Sequence, residues 1–374
     1  MEAADYDLIV AGAGPAGSAC AITAARGGAR VLLLEKDKLP RHKVCGEFVS
    51  PESLHLLESL LGENFNSFND KPQIGSARVF SGRKIVALPI SPPARSISRF
   101  ELDQALLQMA RHTGVDVKEQ TTVRNLELMA DNNNVRVQIV LSTVSGTTIE
   151  AQKSFTARAV VNSTGRWSQL TQPAEVKGHK WIGLKAHYRE ARPSPTVDLY
   201  FFDGGYCGVQ PVGKDAVNAC AMVQSDAAHS LEEVFSREPD LWQRSRSWEP
   251  LFPTITTSPL YFRSPQPESN NMLMAGDAAA FIDPFAGDGI SLALHSGTVA
   301  AESLLPHFQG KCSLSEAAQQ YRAAYLKRFA PAFRNAARVR MMVSAPPAIR
   351  SLLVSLVGLR PFAKAIVRST RVKA

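Results

Sequence analysis

The sequence predicts an α/β fold. A parallel-sheet domain is assembled from separate stretches of chain, a mostly antiparallel α+β domain is inserted into it, and a helical tail ends the chain. Three observations predict it. A glycine-bearing turn, Gly12-Ala13-Gly14-Pro15-Ala16-Gly17, joins a short apolar run to an alanine-rich stretch. A second turn begins at Gly276-Asp277, about 260 residues later in the 374-residue chain, and runs through Pro284, Gly287 and Gly289. Between them, residues 181–223 alternate like strands of a sheet with an exposed edge.

Tyr6 to Ala11 is dense in Leu, Ile and Val and reads as a buried parallel strand. Ser18 to Arg26 is rich in Ala, lacks Pro and reads as a helix. Arg30 to Leu34 is a second apolar run and ends at Glu35. Strand, turn, helix, strand and acid are the context that a G-x-G-x-x-G dinucleotide turn requires, so this domain is Rossmann-like. Gly12 permits the tight turn, Gly14 lets a phosphate approach the backbone, and Gly17 lets the helix pack on the strand. The helix N-terminus offers free N–H groups and a partial positive charge to a pyrophosphate. Glu35 can accept hydrogen bonds from ribose hydroxyls. This turn alone does not separate FAD from NAD. Paired with the second turn it predicts FAD, held at the pyrophosphate by one and at the ribityl chain and ring by the other.

Further along, Leu54–Leu61 reads as a leucine-rich helix, Ser76–Ile90 as a hairpin about Gly82, and Arg99–Arg111 as a helix. Val135–Val161 reads as antiparallel strands around Ser145-Gly146, ending in Asn162-Ser163-Thr164-Gly165. Strands fill Trp181–Val223, with turns at Gly204-Gly205 and Gly213. Met272–Ala275 is a short buried strand; Gly289–Leu305 and Ser315–Phe329 are helical. From Pro331 further helices are expected, broken at Pro346-Pro347 and Pro361. The FAD-binding domain is therefore expected from residues 1–71, 98–174 and 265–330. A substrate domain takes 72–97 and 175–264, and a basic helical region takes 331–374.

Composition narrows the class. Hydrophobic content of 45% and charged content of 20% suit a soluble globular protein. The start carries Glu2, Asp5 and Asp7 rather than a basic leader. The five cysteines form no C-x-x-C pair and no zinc spacing, and the histidines form no ligand pattern. A reduced, cytoplasmic protein without a metal is expected. The net charge of +8 is uneven: from Pro331 onward there are nine cations and no Asp or Glu, which leaves −1 for everything before. That tail lacks aromatic interleaving, so nucleic acid is not the expected partner. Ser351–Leu359, bracketed by Arg350 and Arg360, is too short to span a bilayer. Two readings stand: an interfacial helix on an anionic membrane, or helices packed on the body with their cations in water.

With these motifs in hand, the chain resembles the FAD-dependent oxidoreductases of the aromatic-hydroxylase (class A flavin monooxygenase) fold, and within them the geranylgeranyl reductase branch. The likeness covers roughly residues 5–330. Pro40-Arg41-His42-Lys43-Val44-Cys45-Gly46-Glu47 is similar to that branch's Pro-Arg…Lys…Cys-Gly segment, which implies that Arg41 and Cys45 lie by the isoalloxazine. Read alone, Cys45 is equally a small buried apolar residue. Arg99-Phe100-Glu101-Leu102-Asp103 resembles the family's Arg-x-x-Leu-Asp helix start, whose Arg approaches the FAD phosphates. Gly276-Asp277 and the Asp283–Ile290 run resemble its second FAD motif, which implies that Asp277 binds ribityl hydroxyls. Gly287 and Gly289 would let a helix N-terminus face the flavin N1 and C2 carbonyl. The cofactor-binding set so implied is Gly12, Gly14, Pro15, Ala16, Gly17, Glu35, Lys36, Arg41, Arg99, Gly276, Asp277, Pro284, Gly287 and Gly289.

The chain departs from the family in three places. Gly205-Tyr206-Cys207-Gly208-Val209-Gln210-Pro211 keeps the Gly, Tyr and Pro of Gly-Tyr-x-Trp-x-Phe-Pro but replaces both large aromatics, which implies a wider or partly polar pocket. Thr164-Gly165 stands where hydroxylases carry Asp-Gly, and Ala280 where they carry His. The expected function is reduction of a C=C bond in an apolar, isoprenoid or lipid-like small molecule by hydride from reduced flavin, with NADPH or NADH as electron donor. Cys45 and Tyr206 are the candidate catalytic residues, Tyr206 as acid by position. The alternatives are an NAD(P)H-dependent flavin monooxygenase hydroxylating an aromatic or polyketide substrate, and a peripheral membrane flavoprotein without turnover. A halogenase is disfavoured, since there is no Trp-x-Trp-x-Ile-Pro segment and no matching Lys.

Overall fold

A computed structural model describes residues 4–343, apart from 83, 129–134, 142–151, 167–169, 171–179 and 263. The expected turn at Ser145-Gly146 and the expected helices of residues 344–374 lie outside the described residues. In chain order the elements are β1 (Tyr6–Ala11), α1 (Pro15–Arg26), β2 (Val31–Leu34), β3 (Phe48–Val49), α2 (Pro51–Leu61), β4 (Gln73–Ser81), β5 (Lys84–Ser96) and α3 (Arg99–His112). Then come β6 (Asp116–Lys118), β7 (Thr121–Leu128), β8 (Val135–Leu141), β9 (Gln152–Asn162), β10 (Trp181–Arg189), β11 (Thr196–Phe202), β12 (Gly205–Gly213) and β13 (Ala216–Gln224). The last are α4 (Leu231–Ser236), α5 (Pro239–Ser245), β14 (Glu249–Pro250), β15 (Ile255–Leu260), β16 (Glu268–Ser269), β17 (Met272–Met274), α6 (Gly289–Phe308) and α7 (Leu314–Val343).

Two sheets organise them. The first runs β16-β17-β9-β1-β2-β6, with β7 and β8 continuing antiparallel from β9. Its centre is parallel: Ala11 sits beside Leu34 on one side and Asn162 on the other. Strands buried on both faces need continuous apolar side chains, and Leu8, Ile9 and Val10 are all fully buried. The second sheet runs β14-β10-β13-β12-β11-β4-β5-β3, with β15 also on β10, and is antiparallel except where β4 pairs parallel with β11.

The main core lies between the first sheet and α1, α2, α3, α6 and α7. Helix α1 begins at Pro15, three residues before the sequence places it, because proline's fixed φ suits the first helical position. Helix α7 continues through Pro331, where the sequence predicts a new segment. The apolar positions Tyr325, Phe329, Ala332 and Ala336 stay on one buried stripe across the proline, and that packing offsets the lost backbone hydrogen bond. The second sheet is layered. Cys207 and Val209 point into a core capped by α4 and α5, which the sequence reading missed. Tyr206, Gly208 and Gln210 point the other way, into a cavity. None of the helices among the described residues is long and apolar enough to cross a membrane.

Candidate functional site

A cavity of about 360 Å³ lies where the two sheets face each other, and both glycine turns open into it. At one end are Gly14, Pro15 and Ala16; at the other are Gly276, Asp277, Pro284, Gly287 and Gly289. The first turn is built by close backbone approach. Gly12 has φ +98°, and a Cβ there would stand 2.5 Å from the Ser163 carbonyl oxygen. Ser163 Oγ donates to the carbonyls of Ala11 and Gly12, both at 2.8 Å, tying β9 to the turn. Helix α1 starts at Pro15 after its N-cap Gly14, with no side-chain cap and no acid in its first turn, and Gly14, Pro15 and Ala16 line the cavity, so this end of the helix offers its free N–H groups there. The Cβ direction at Gly14 is clear except for Arg99 Nη2 at 3.7 Å.

Glu35 is buried at the end of β2, accepts from Ala13 N at 2.8 Å and Asp37 N at 3.1 Å, and meets Arg41 Nη2 at 3.4 Å. Arg41 is therefore held by Glu35 and by Asp37, at 2.9 Å. Lys36 is exposed. Arg99 lines the cavity with both Nε and Nη2 bonded to Asp103 at 2.7 Å. Burial works against its charge, but the Asp103 carboxylate beside it holds its pKa above the ordinary arginine value.

The Lys43–Phe48 segment crosses the cavity wall. Its anchor is Glu47, fully buried at φ +61°, a conformation that costs a non-glycine residue about 1–3 kcal/mol. Glu47 Oε1 accepts from Arg99 N at 2.8 Å and from Lys185, while Oε2 meets His187 Nε2 at 2.7 Å. Burial pushes the Glu47 carboxyl up, but the His187 bond and the Lys185 ammonium pull harder and hold it below the usual range. Asn218 Nδ2 donates to the carbonyls of Cys45, at 3.0 Å, and Gly46, at 2.9 Å. Cys45 is half-buried, lines the cavity and accepts from Glu47 N at 3.3 Å. Half-buried Lys43 faces the cavity as well. Close packing, then repulsion from Arg99 and Arg41, lowers its pKa to about 8. His42 stacks on Phe252 at 3.9 Å and lies 5.3 Å from His187; burial first, then Lys185 and His187, lower its pKa.

At the second turn Gly287 has φ +71°, and α6 starts after Asp288 with no acid in its first turn and no capping bond from the Asp288 side chain to the helix. The Cβ direction at Gly289 is clear to 4 Å. Asp277 lies 3.7 Å from Arg166, whose guanidinium sits over Phe281 at 4.2 Å. Asp283 is buried with Oδ2 on Arg340 of α7 at 3.0 Å and Oδ1 unbonded. One cation on one oxygen does not replace the lost hydration, so burial outweighs Arg340 and raises the Asp283 pKa to about 7. Tyr206 packs against Phe285 and Phe201, and burial raises its phenol well above 10. Its hydroxyl nears the Phe285 backbone without forming a hydrogen bond.

The cavity therefore brings together all the cofactor candidates except Gly12, Gly17, Glu35, Lys36 and Arg41, and it takes in both Cys45 and Tyr206. Gly12, Gly17 and Glu35 lie behind it, shaping the first turn. Sequence reasoning missed the buried Glu47–Lys185–His187 cluster. Its members are 138 and 140 residues apart, and no spacing signals them. It also missed the Asp283–Arg340 pair, although Asp283 stands within a motif it quoted.

A family model described as an FAD binding domain matches residues 5–247, well over half the chain, and the protein belongs to that family. It is an FAD-dependent flavoprotein with the aromatic-hydroxylase-like fold. Menaquinone reductase of Mycolicibacterium smegmatis is 28% identical over 79% of this chain and 75% of its own length. Among solved structures, a geranylgeranyl bacteriochlorophyll reductase-like protein of Thermoplasma acidophilum superimposes with a TM-score of 0.77 at 20% identity, covering 97% of this chain and 95% of the other. A myxobacterial chondrochloren halogenase gives 0.79 at 20%, covering 98% and 90%. At those identities the two structures share the fold.

Proposed function

We propose that this protein is an FAD-dependent reductase that saturates a C=C bond in an isoprenoid or lipid-like substrate. The observation that carries the reading is the cavity wall opposite the two turns. Val79, Val86, Leu88, Leu199, Phe201 and Met222 line it, a surface suited to an apolar molecule. The likeness to menaquinone reductase supports a reductase acting on a lipid-like molecule. In this proposal α1 and Arg99 hold the FAD pyrophosphate, Glu35 the ribose, and Asp277 the ribityl hydroxyls. The start of α6 faces the flavin ring, where the helix dipole favours negative charge. Arg41, Lys36 and Cys45 flank this set, and Asp103 fixes the Arg99 guanidinium so that it need not reorganise.

Bound FAD, reduced by NADPH or NADH, supplies the hydride. The chain's own residues do the rest. The apolar wall excludes water, the Lys43–Phe48 segment fixes the distance between turn and wall, and Tyr206 carries a proton at its hydroxyl throughout the neutral range. The basic C-terminal region docks the enzyme on an anionic membrane that holds the substrate.

The test is anaerobic. FAD-loaded protein is reduced with NADPH or NADH, then mixed with polyprenyl substrates with and without air. Flavin reoxidation without air, with product two hydrogens heavier, is the expected result. Reoxidation only in air, with O₂ consumed in step with a hydroxylated product, would replace the reading with a monooxygenase. A flavin that no donor reduces would replace it with a flavoprotein lacking turnover.

A further inference from the structure

All five cysteines are free thiols, and two of them, Cys45 and Cys220, line the cavity. The other three do not. Cys20 is buried in α1 within the main core, and Cys312 packs against that core between α6 and α7. Cys207 points from β12 into the core capped by α4 and α5.

The fold brings the cavity pair together from distant stretches of chain. Cys45 belongs to the Lys43–Phe48 segment and Cys220 to β13. Asn218 Nδ2 donates to the carbonyls of Cys45 and Gly46, at 3.0 and 2.9 Å. Strand alternation puts Asn218 and Cys220 on one face of β13, about 7 Å apart, so the segment lies across the strand near Cys220. The two thiols interact. After close packing, Cys45 is the largest influence on the Cys220 thiol, which also nears the Cys45 backbone. The neighbouring strand leaves room beside them. Gly208 of β12 pairs with Cys220, and a Cβ there would make only ordinary contacts, 3.5 Å to Leu199 Cδ2 and 3.7 Å to the Cys220 carbonyl. A disulfide needs Cα atoms within about 7 Å of each other, and the Asn218 amide already crosses from this strand face to the same segment.

Cys45 stands where a flavin would meet it. Glu47 N donates to its sulfur at 3.3 Å, and the Arg99 guanidinium nears that sulfur from the side of the first turn. Two thiols facing a flavin set one two-electron couple beside another. Two small apolar residues would fill these places equally well, so electrons rather than packing decide the matter. We infer that Cys45 and Cys220 are a redox-active pair, a dithiol that closes to a disulfide by passing an electron pair to bound FAD. Two S–H bonds break and one S–S bond forms. The electron pair leaves with one proton to the flavin, and the other proton goes to water. Run backward, the exchange opens the bridge at the expense of reduced flavin. Close packing pushes the Cys220 thiol up to about 12, so it keeps its proton until the bridge closes, and Cys45 is the member that meets the flavin. The inference rests on FAD occupying the cavity and not on the proposed reduction of a C=C bond.

The experiment uses FAD-loaded protein oxidised with diamide, desalted and kept anaerobic, with no substrate present. Titration with dithionite should consume about four electrons per FAD before the flavin band is fully bleached, against about two in Cys45→Ser or Cys220→Ser, since the disulfide adds a two-electron couple. Cys312→Ser should keep the wild-type uptake. A non-reducing digest should show the Cys45 and Cys220 peptides joined before the titration and both thiols open to alkylation after it. In apo-protein treated alike, the bridge should stay closed on the same timescale, because the flavin carries the electrons to it. Retained FAD absorbance shows that each serine variant is folded, and the wild-type peptide map decides the matter if one is not. Uptake of about two electrons in wild type, no joined peptides, a bridge still closed once the flavin is bleached, or equally fast opening in apo-protein overturns the inference. Failure here leaves the proposed reaction standing, and failure to reduce polyprenyl substrates leaves the thiol pair standing.

Discussion

Lys185→Met tests whether the Glu47 cluster holds the cavity together. Lys185 and Glu47 are both fully buried, one on β10 and the other beside the FAD-motif helix α3. Removing one partner of a buried pair leaves the other charge uncompensated, which costs about 3–5 kcal/mol. The Arg99 N–H and His187 bonds remain for Glu47, so a loss near the lower end of that range is expected at pH 7. The pH dependence has a definite sign. In wild type the Glu47 carboxyl is held below its usual value, so its contribution is present above the unfolded pKa and fades as pH falls through the folded one. In Lys185→Met burial is less opposed and the carboxyl shifts upward, so the deficit relative to wild type should shrink toward pH 5 and grow toward pH 7. Removing both charges with Glu47→Gln/Lys185→Met should recover more than half of the loss, because a neutral replacement of a buried pair is often nearly neutral in stability. The assay is urea denaturation of FAD-loaded protein by far-UV circular dichroism, at fixed protein and FAD concentrations. A Lys185→Met loss under about 1 kcal/mol, or a double variant no better than the single one, refutes the reasoning, since either means the charges are not desolvated together.

Three further outcomes are expected. Gly17→Ala should abolish the 450 nm flavin band, because its Cβ would overlap the Gly12 carbonyl oxygen, whereas Gly289→Ala should leave the apo melting temperature near wild type and weaken FAD binding alone. Asp283, buried and raised to about 7, binds its proton more tightly folded than unfolded, so wild type should lose about 2 kcal/mol relative to Asp283→Asn between pH 5 and pH 7 in paired denaturation curves; a flat difference would reject the assignment. Deleting residues 346–374, which carry six of the nine tail cations, should abolish sedimentation with anionic liposomes, and equal partitioning of full-length and truncated protein would reject the membrane reading of those six.

The sequence made the FAD frame legible because its determinants are local. Gly12, Gly14 and Gly17 sit within six residues, their flanking strands are continuous apolar runs, and a helix start needs only adjacent residues to expose its N–H groups. The cavity wall was half legible. Alternation identified β10 to β13 as strands and so put Tyr206, Gly208 and Gln210 on one face. Register supplied the rest, since only pairing with β11 and β13 puts Leu199 and Cys220 beside Gly208 and shows a gap there. Glu47 was not legible as a charge centre. A carboxylate after Cys-Gly reads as ordinary surface until β10 brings Lys185 and His187 to it and burial removes the water that would have made the contact weak. The same logic explains Asp283, whose partner Arg340 lies on a helix that the sequence divided at Pro331. Local geometry thus specifies the two glycine turns, whereas the Glu47 cluster depends on contacts 138 and 140 residues apart and the Asp283–Arg340 pair on one of 57.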